Sequence, residues 1–384
     1  MEQSLMTQTR TDVKITTRPR LKVALVHDYL IQDGGAERVL AALQEMYPYA
    51  PTYVLMHDPK RVNPEFNNHV IKTSFLNKLP FSKRLYQWYL PLMPTAIEYL
   101  DISGFDLVIS SSSPFAKGVI LPPETTHICY LHTPTRFLWQ ERIGYLNDLP
   151  QPRLMRALLP HMLHGMRTWD RIASERPDHL ITNSETSRAR IQRYYRRDST
   201  VINPPVDIDR ITPLAHAHGT YWLAGGRLVG YKRFDLIVKA FAKLDMPLKI
   251  FGIGPEEKKL RAMAGRQTEF LGHVNDAAKI GLYQNSIGFI SPQIEDFGIA
   301  SVEAMAAGRP VIAYGRGGGA ETVLPNITGV YIDVQTWVDI ADAVIRFNPQ
   351  QFDPAVIRAH AETYSKQRFQ EQMKAFIEKT RQSA

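Results

Sequence analysis

Short apolar runs, each ending at a polar or glycine-bearing turn and followed by residues at helical spacing, recur along this chain from residue 21 onward. The first, Leu21-Lys22-Val23-Ala24-Leu25-Val26, runs into Asp33-Gly34-Gly35-Ala36-Glu37-Arg38, after which Val39, Leu40 and Leu43 return with helical period. Further strand-like runs lie at Thr52–Met56, Leu107–Ser110, His127–Leu131 and His179–Thr182, separated by segments long enough for crossovers. That rhythm predicts a parallel, doubly wound α/β sheet. Two prolines in Val201-Ile202-Asn203-Pro204-Pro205-Val206-Asp207 then interrupt regular structure and mark a domain boundary. A second series follows, with strands expected at Tyr221–Ala224, Leu248–Phe251, Glu269–Leu271, Ile287–Ile290 and Pro310–Ala313. Helices are expected at about 234–244, 255–264, 276–284, 299–307 and 336–346. Two open parallel sheets facing one another would bind ligands in the cleft beyond the carboxyl ends of their strands, so the loops after each strand are where chemistry is sought.

Composition narrows this picture without changing it. At 384 residues, with 44% apolar and 22% charged positions, the chain is too long for one core and too apolar for disorder, which favours two domains. Residues 1–20 lack apolar periodicity and read as a flexible tail, leaving domains at 21–205 and from 206 onward. No run approaches 18 apolar residues and the tail lacks the apolar core of a signal peptide, so a cytoplasmic location is expected. A lone Cys129 excludes an internal disulfide or a multi-cysteine zinc site. The net charge is +8, and the first 200 residues carry 25 basic against 19 acidic residues, so that half prefers anionic company. No nucleic-acid-binding signature accompanies the surplus, and nucleic acid is not an expected partner.

Four groups of residues carry candidate chemistry. Gly34-Gly35 after the first strand, and Gly252 and Gly254 in Gly252-Ile253-Gly254-Pro255-Glu256 of the second half, allow close backbone approach to a phosphate, or simply a tight turn. Arg227 and Lys232, in Gly226-Arg227-Leu228-Val229-Gly230-Tyr231-Lys232-Arg233-Phe234-Asp235, follow a strand end and suit a departing diphosphate, the one as a planar fork and the other as a point charge. Glu295 and Glu303 flank Phe297-Gly298-Ile299, a helix start whose free amides can bind oxygen. Placing Glu295 in the loop puts Glu303 two turns into that helix. Asp207-Ile208-Asp209 is a D-x-D in the linker, and the pair His161 and His164, which could share a helix face, reads as surface or packing.

The block from Glu295 through Gly308-Arg309-Pro310-Val311-Ile312 resembles the E-x7-E signature of family 4 retaining glycosyltransferases, and Gly226 to Asp235 resembles their G-R-L-x-x-x-K-x-x-D segment. Leu271-Gly272-His273-Val274, Tyr283-Gln284-Asn285-Ser286, the Val201–Asp207 linker and Gly34 to Arg38 fit the same family, so the resemblance covers nearly the whole chain. Tyr29-Leu30 through Arg38, and Tyr130-Leu131-His132-Thr133-Pro134-Thr135-Arg136-Phe137-Leu138-Trp139, are similar to mannosyltransferases of bacterial surface-polysaccharide assembly. The resemblance implies a GT-B architecture: two Rossmann-like domains, the amino-terminal one for the acceptor and 206–364 for the nucleotide sugar. It also implies a final helix within 365–384 that packs back on the first domain through Phe369, Met373 and Phe376.

Carried over residue by residue, Glu303 would hold the ribose hydroxyls, Glu295 and the amides of Phe297 to Ile299 the transferred sugar, and Arg227 with Lys232 the diphosphate. Gly35 would close over that diphosphate and His132 would sit beside the sugar. Gly34, Gly252, Gly254, His273, Val274, Asp296 and Gly298 complete the implied donor site. The implied reaction retains anomeric configuration, uses no cofactor and no metal, and lets a phosphate oxygen take the acceptor proton. The subgroup points to GDP-mannose as donor and a polyprenyl-diphosphate-linked saccharide as acceptor; UDP-glucose and UDP-N-acetylglucosamine remain open. Between Lys72 and Leu92, Lys72, Lys78, Lys83 and Arg84 interleave with Phe75, Leu76, Phe81, Leu85, Trp88 and Tyr89, which suits either an anionic inner-membrane surface or a solvated helix with a buried face. A noncatalytic nucleotide-sugar-binding partner of a glycan-assembly complex is the rival from another class.

Overall fold

The computed structural model describes residues 21–140, 153–214 and 219–383, so the amino-terminal tail lies outside the described residues. Seven parallel strands form the first sheet: β1 (Val23–His27), β2 (Thr52–Val54), β3 (Ile71–Thr73), β4 (Leu107–Ser112), β5 (Thr126–Leu131), β6 (His179–Thr182) and β7 (Thr200–Val201). Their spatial order is β3-β2-β1-β4-β5-β6-β7. Six parallel strands form the second: β8 (Tyr221–Gly225), β9 (Leu248–Phe251), β10 (Thr268–Gly272), β11 (Ser286–Ser291), β12 (Val311–Tyr314) and β13 (Gly329–Ile332), in the order β10-β9-β8-β11-β12-β13. Both sheets are doubly wound, and each changes winding direction beside its first strand, between β1 and β4 and between β8 and β11. Crevices open at the carboxyl ends there.

Burial on both faces explains the apolar runs. All five residues of β1 are buried and all six of β4, because helices cover each face of a parallel sheet. One core layer packs Leu25, Leu40, Leu43 and Ile109 under the helix Gly35–Met46, and the opposite layer packs Val26, Met93, Val108 and Phe115. The second domain repeats this with Val302, Met305 and Val311 on one face and Ile237, Phe241, Ile250 and Ile312 on the other. The last helix, Lys366–Ser383, returns to the first domain and buries Phe369, Met373 and Ile377 there. Phe369 meets Tyr130 of β5 edge-on at 5.8 Å between ring centres.

Three short strands have no sequence expectation: β3, β7 and β13 are sheet edges of three, two and four residues, β13 entered directly from the Asn326-Ile327-Thr328 turn. The stretch from Lys72 to Leu92 is not one amphipathic helix. It is a succession of 3-10 turns, Phe75–Lys78 and Tyr86–Leu92, with Phe81 at φ 52° between them, because Pro80 and Pro91 deny a continuous ladder.

Candidate active site

The glycine loop ends where Gly34 caps the helix Gly35–Met46 in an extended conformation. A Cβ on Gly35 would stand 2.9 Å from Ile299 Cδ1, so this turn of the first domain lies close against the side chain of the first residue of the helix Ile299–Ala306. Gly298 caps that helix at φ 98°, a left-handed conformation that favours glycine. One turn beyond Gly35, Arg38 crosses the cleft and donates to Glu303 Oε1 at 2.6 Å. Lys279 Nζ and the Tyr283 hydroxyl donate to the same carboxylate at 3.1 and 3.0 Å. Burial works to raise the Glu303 carboxyl, but Arg38 and Lys279 prevail and hold it ionised below the usual range. Glu303 is the fifth residue of its helix, a little over one turn in rather than two, because the helix begins only at Ile299.

The second acidic residue lies in the loop after β11. Lys232 donates to Glu295 Oε1 at 2.5 Å and Gln293 donates to it at 2.6 Å. Burial again opposes ionisation, and Lys232 overcomes it: the Glu295 carboxyl is lowered while the Lys232 ammonium is raised by its partner. The structure therefore brings Lys232 and Glu295 into one ion pair, where the sequence reading assigns them to different parts of a donor. Arg227 lies exposed on the loop after β8 that also carries Lys232.

Asp296 faces the other way. Its Oδ1 accepts from Arg136 at 2.6 Å and from Arg190, both in the first domain, so its carboxylate joins the two domains. Tyr231 stacks under the Arg136 guanidinium at 4.9 Å. Glu321 completes this seam, accepting from the backbone amides of Glu185 and Thr186, each at 2.8 Å, at the amino end of the helix Glu185–Tyr195.

His132 follows β5 and is 9% exposed. Its Nε2 lies 2.9 Å from Ser111 Oγ and its ring meets Tyr130 at 5.2 Å. Burial, helped by His27, presses its pKa down to about 3, so the ring is neutral. Two buried carboxylates hold the surrounding loops. Asp28 accepts from the amides of Ser113, Phe115 and Ala116 at 2.7, 2.9 and 2.6 Å. Asp170 accepts from Lys117, Thr135, Trp139 and Tyr195, each at 2.7 Å, which fixes the segment between His132 and Trp139.

The remaining sequence candidates contribute by shape. A Cβ on Gly252 would lie 1.9 Å from the Gly226 oxygen, and one on Gly254 would lie 2.2 Å from the Leu228 oxygen. The close approach these glycines allow is thus to the Arg227–Lys232 loop itself, which they seat. His273 is exposed, Val274 packs into the second core, and Phe297 is buried against Tyr364 at 5.3 Å between ring centres. Arg38, Lys279 and Tyr283 around Glu303, and Arg136 and Arg190 around Asp296, have no role in the sequence reading. Arg38, Tyr283 and Arg136 left a signal there only as members of the segments Gly34 to Arg38, Tyr283 to Ser286 and Tyr130 to Trp139, while Lys279 and Arg190 left none.

Residues 33–210 match the family model described as Glycosyltransferase Family 4, and residues 216–368 match Glycosyl transferases group 1. The chain belongs to the family 4 glycosyltransferases. A D-rhamnosyltransferase, WbpZ, from Pseudomonas aeruginosa is 30% identical over 207 residues, 49% of this chain and 51% of that protein. A phosphatidyl-myo-inositol mannosyltransferase from Mycobacterium leprae is 47% identical over 74 residues, 18% of this chain and 20% of its own. The chain thus spans about half the length, or less, of the curated relatives it matches. Anabaena HepE, solved in complex with UDP and glucose, superimposes with a TM-score of 0.69 over 94% of this chain and all of that one at 18% identity, which shows the GT-B fold.

Proposed function

We propose that this family 4 protein is a retaining glycosyltransferase that moves mannose from GDP-mannose to a polyprenyl-diphosphate-linked saccharide in surface-polysaccharide assembly. The observation that carries the reading is the pair of ionised glutamates, half-buried Glu295 and buried Glu303, facing the cleft among cations drawn from both domains. Ionised carboxylates in a partly dry cleft suit sugar and ribose hydroxyls, and Lys232 stands where a departing diphosphate gathers charge. On binding, Lys232 would turn from Glu295 to the phosphate and leave Glu295 to accept from the transferred sugar. No side chain need act as base, since a phosphate oxygen of the departing diphosphate takes the acceptor proton, and neither metal nor cofactor enters the scheme.

The mannosyl assignment draws support from the rhamnosyltransferase and mannosyltransferase relatives, D-rhamnose being 6-deoxymannose. A UDP-sugar donor is the second reading, favoured by the complex of HepE with UDP and glucose. Among the described residues no helix is long and apolar enough to cross a membrane. Contact with an anionic membrane rests instead on the turns between β3 and β4, where Phe75, Phe81, Leu85, Trp88 and Leu92 are exposed beside Lys78, Lys83 and Arg84. Incubation of purified protein with labelled GDP-mannose or UDP-glucose and a polyprenyl-diphosphate saccharide tests the proposal. Label in the lipid fraction from GDP-mannose supports it, label from UDP-glucose alone overturns the donor, and no label from any nucleotide sugar favours the noncatalytic rival.

A further inference from the structure

Beneath His132 a buried chain of polar groups runs across the first sheet from β5 to β1. His132 Nε2 lies 2.9 Å from Ser111 Oγ, Ser111 Oγ lies 3.1 Å from His27 Nδ1, and His27 Nδ1 also lies 3.1 Å from the Ser111 carbonyl oxygen. Ser111 is fully buried and His27 is 2% exposed, so water does not complete any of these bonds. The carbonyl is the fixed point, because a carbonyl oxygen only accepts. His27 Nδ1 must therefore carry a hydrogen whatever the charge on its ring, and a protonated nitrogen cannot accept from the serine. Among the described residues, one acceptor is then left for the buried Ser111 hydroxyl hydrogen: His132 Nε2.

We propose that Ser111 and His27 are positioning residues that hold neutral His132 in the tautomer with a bare Nε2 and a hydrogen on Nδ1. The opposite tautomer would aim two N–H groups at one hydroxyl oxygen and leave the serine hydrogen buried without an acceptor. Nδ1 makes no hydrogen bond to a described residue, and it is the nitrogen left to meet substrate. His132 then enters the reaction as a hydrogen-bond donor to a sugar hydroxyl or glycosidic oxygen and does not take a proton. This role rests on the glycosyltransferase reading above; the tautomer itself does not.

Long-range 1H–15N correlation on protein labelled at histidine tests the proposal without substrate, His132 being assigned by the signals missing from His132→Asn. A protonated Nδ1 with an unprotonated Nε2 is the expected pattern. A protonated Nε2, in either the neutral or the cationic ring, overturns it. Ser111→Ala should release the ring to the ordinary Nε2–H tautomer and lower transfer by about tenfold, while Ser111→Thr keeps the hydroxyl, the wild-type pattern and the activity. An Ala variant that retains the Nδ1–H pattern would show that Ser111 does not set it, and where the variant fails to fold the wild-type spectrum decides alone. Nucleotide-sugar binding, measured separately, reports on the enzymatic reading, so failure of one is told from failure of the other.

Discussion

Acid should destabilise the first domain through two histidines that the fold keeps neutral. His132 and His127 are 9% and 2% exposed, and burial presses their pKa values down to about 3 and about 4. An unfolded chain returns each to about 6.5. Across the interval between, the unfolded state binds protons that the folded state refuses, so stability rises with pH there and is lost as the pH falls below about 6.5. The two depressed values translate at about pH 5 into a cost of roughly 2 kcal/mol per histidine relative to about pH 8. His132→Asn removes one of the two sites. Urea unfolding of wild type and variant at about pH 8 and about pH 5, with carboxylate titration common to both, should give a pH-dependent loss smaller in the variant by about 2 kcal/mol. An equal loss in both proteins would refute the reasoning, since it would mean that His132 accepts a proton in the folded state as readily as in the unfolded one.

The other predictions concern the cleft and the surface turns. Glu295→Gln and Lys232→Ala should each reduce the transfer rate by roughly a hundredfold or more while leaving far-ultraviolet circular dichroism unchanged, and full activity in either would contradict the assigned roles. Gly35→Val should push the first domain off Ile299, which a Cβ would approach within 2.9 Å, and raise the KM for the nucleotide sugar; an unchanged KM would show that the turn does not close on the donor. Glu substitutions at Lys78, Lys83 and Arg84 should abolish flotation with anionic vesicles, each charge contributing about 1 kcal/mol near the surface, and equal flotation of variant and wild type would remove the membrane from the account.

Most strands, and the helices of the second domain such as Phe234–Leu244 and Trp337–Arg346, were legible because burial writes apolar runs and stripes, as in Val23–His27 and Leu107–Ser110, and because Gly34-Gly35 and Pro204-Pro205 punctuate the chain, whereas the helices Arg153–Ala173 and Glu185–Tyr195 had no such expectation. The edge strands Ile71–Thr73 and Thr200–Val201 were not, since two or three half-exposed residues carry no such run. The same division holds at the site. Glu295, Glu303, Arg227 and Lys232 stand out as charged residues at strand ends and helix starts. Their partners depend on distances across the chain that no local pattern records: Arg38 is 265 positions from Glu303, and Arg190 is 106 from Asp296. Asp296 reads locally as a second donor ligand, and only the approach of the two domains shows it held by Arg136 and Arg190. Chain pattern is equally silent on Ser111, a small residue in a buried strand that acquires meaning from His27 and His132 on either side.

The central claim is that the cleft between the two sheets holds a nucleotide sugar, and thermal unfolding of the purified protein with GDP, GDP-mannose, UDP and UDP-glucose tests it most directly. A ligand that binds only the folded state adds about 2.7 kcal/mol of stability at a hundred times its Kd. The account predicts a rise in Tm with GDP and GDP-mannose that is lost in Glu303→Gln and weakened in Lys232→Ala. A rise with UDP compounds alone would keep the cleft and change the donor. No rise with any nucleotide or nucleotide sugar would contradict the claim.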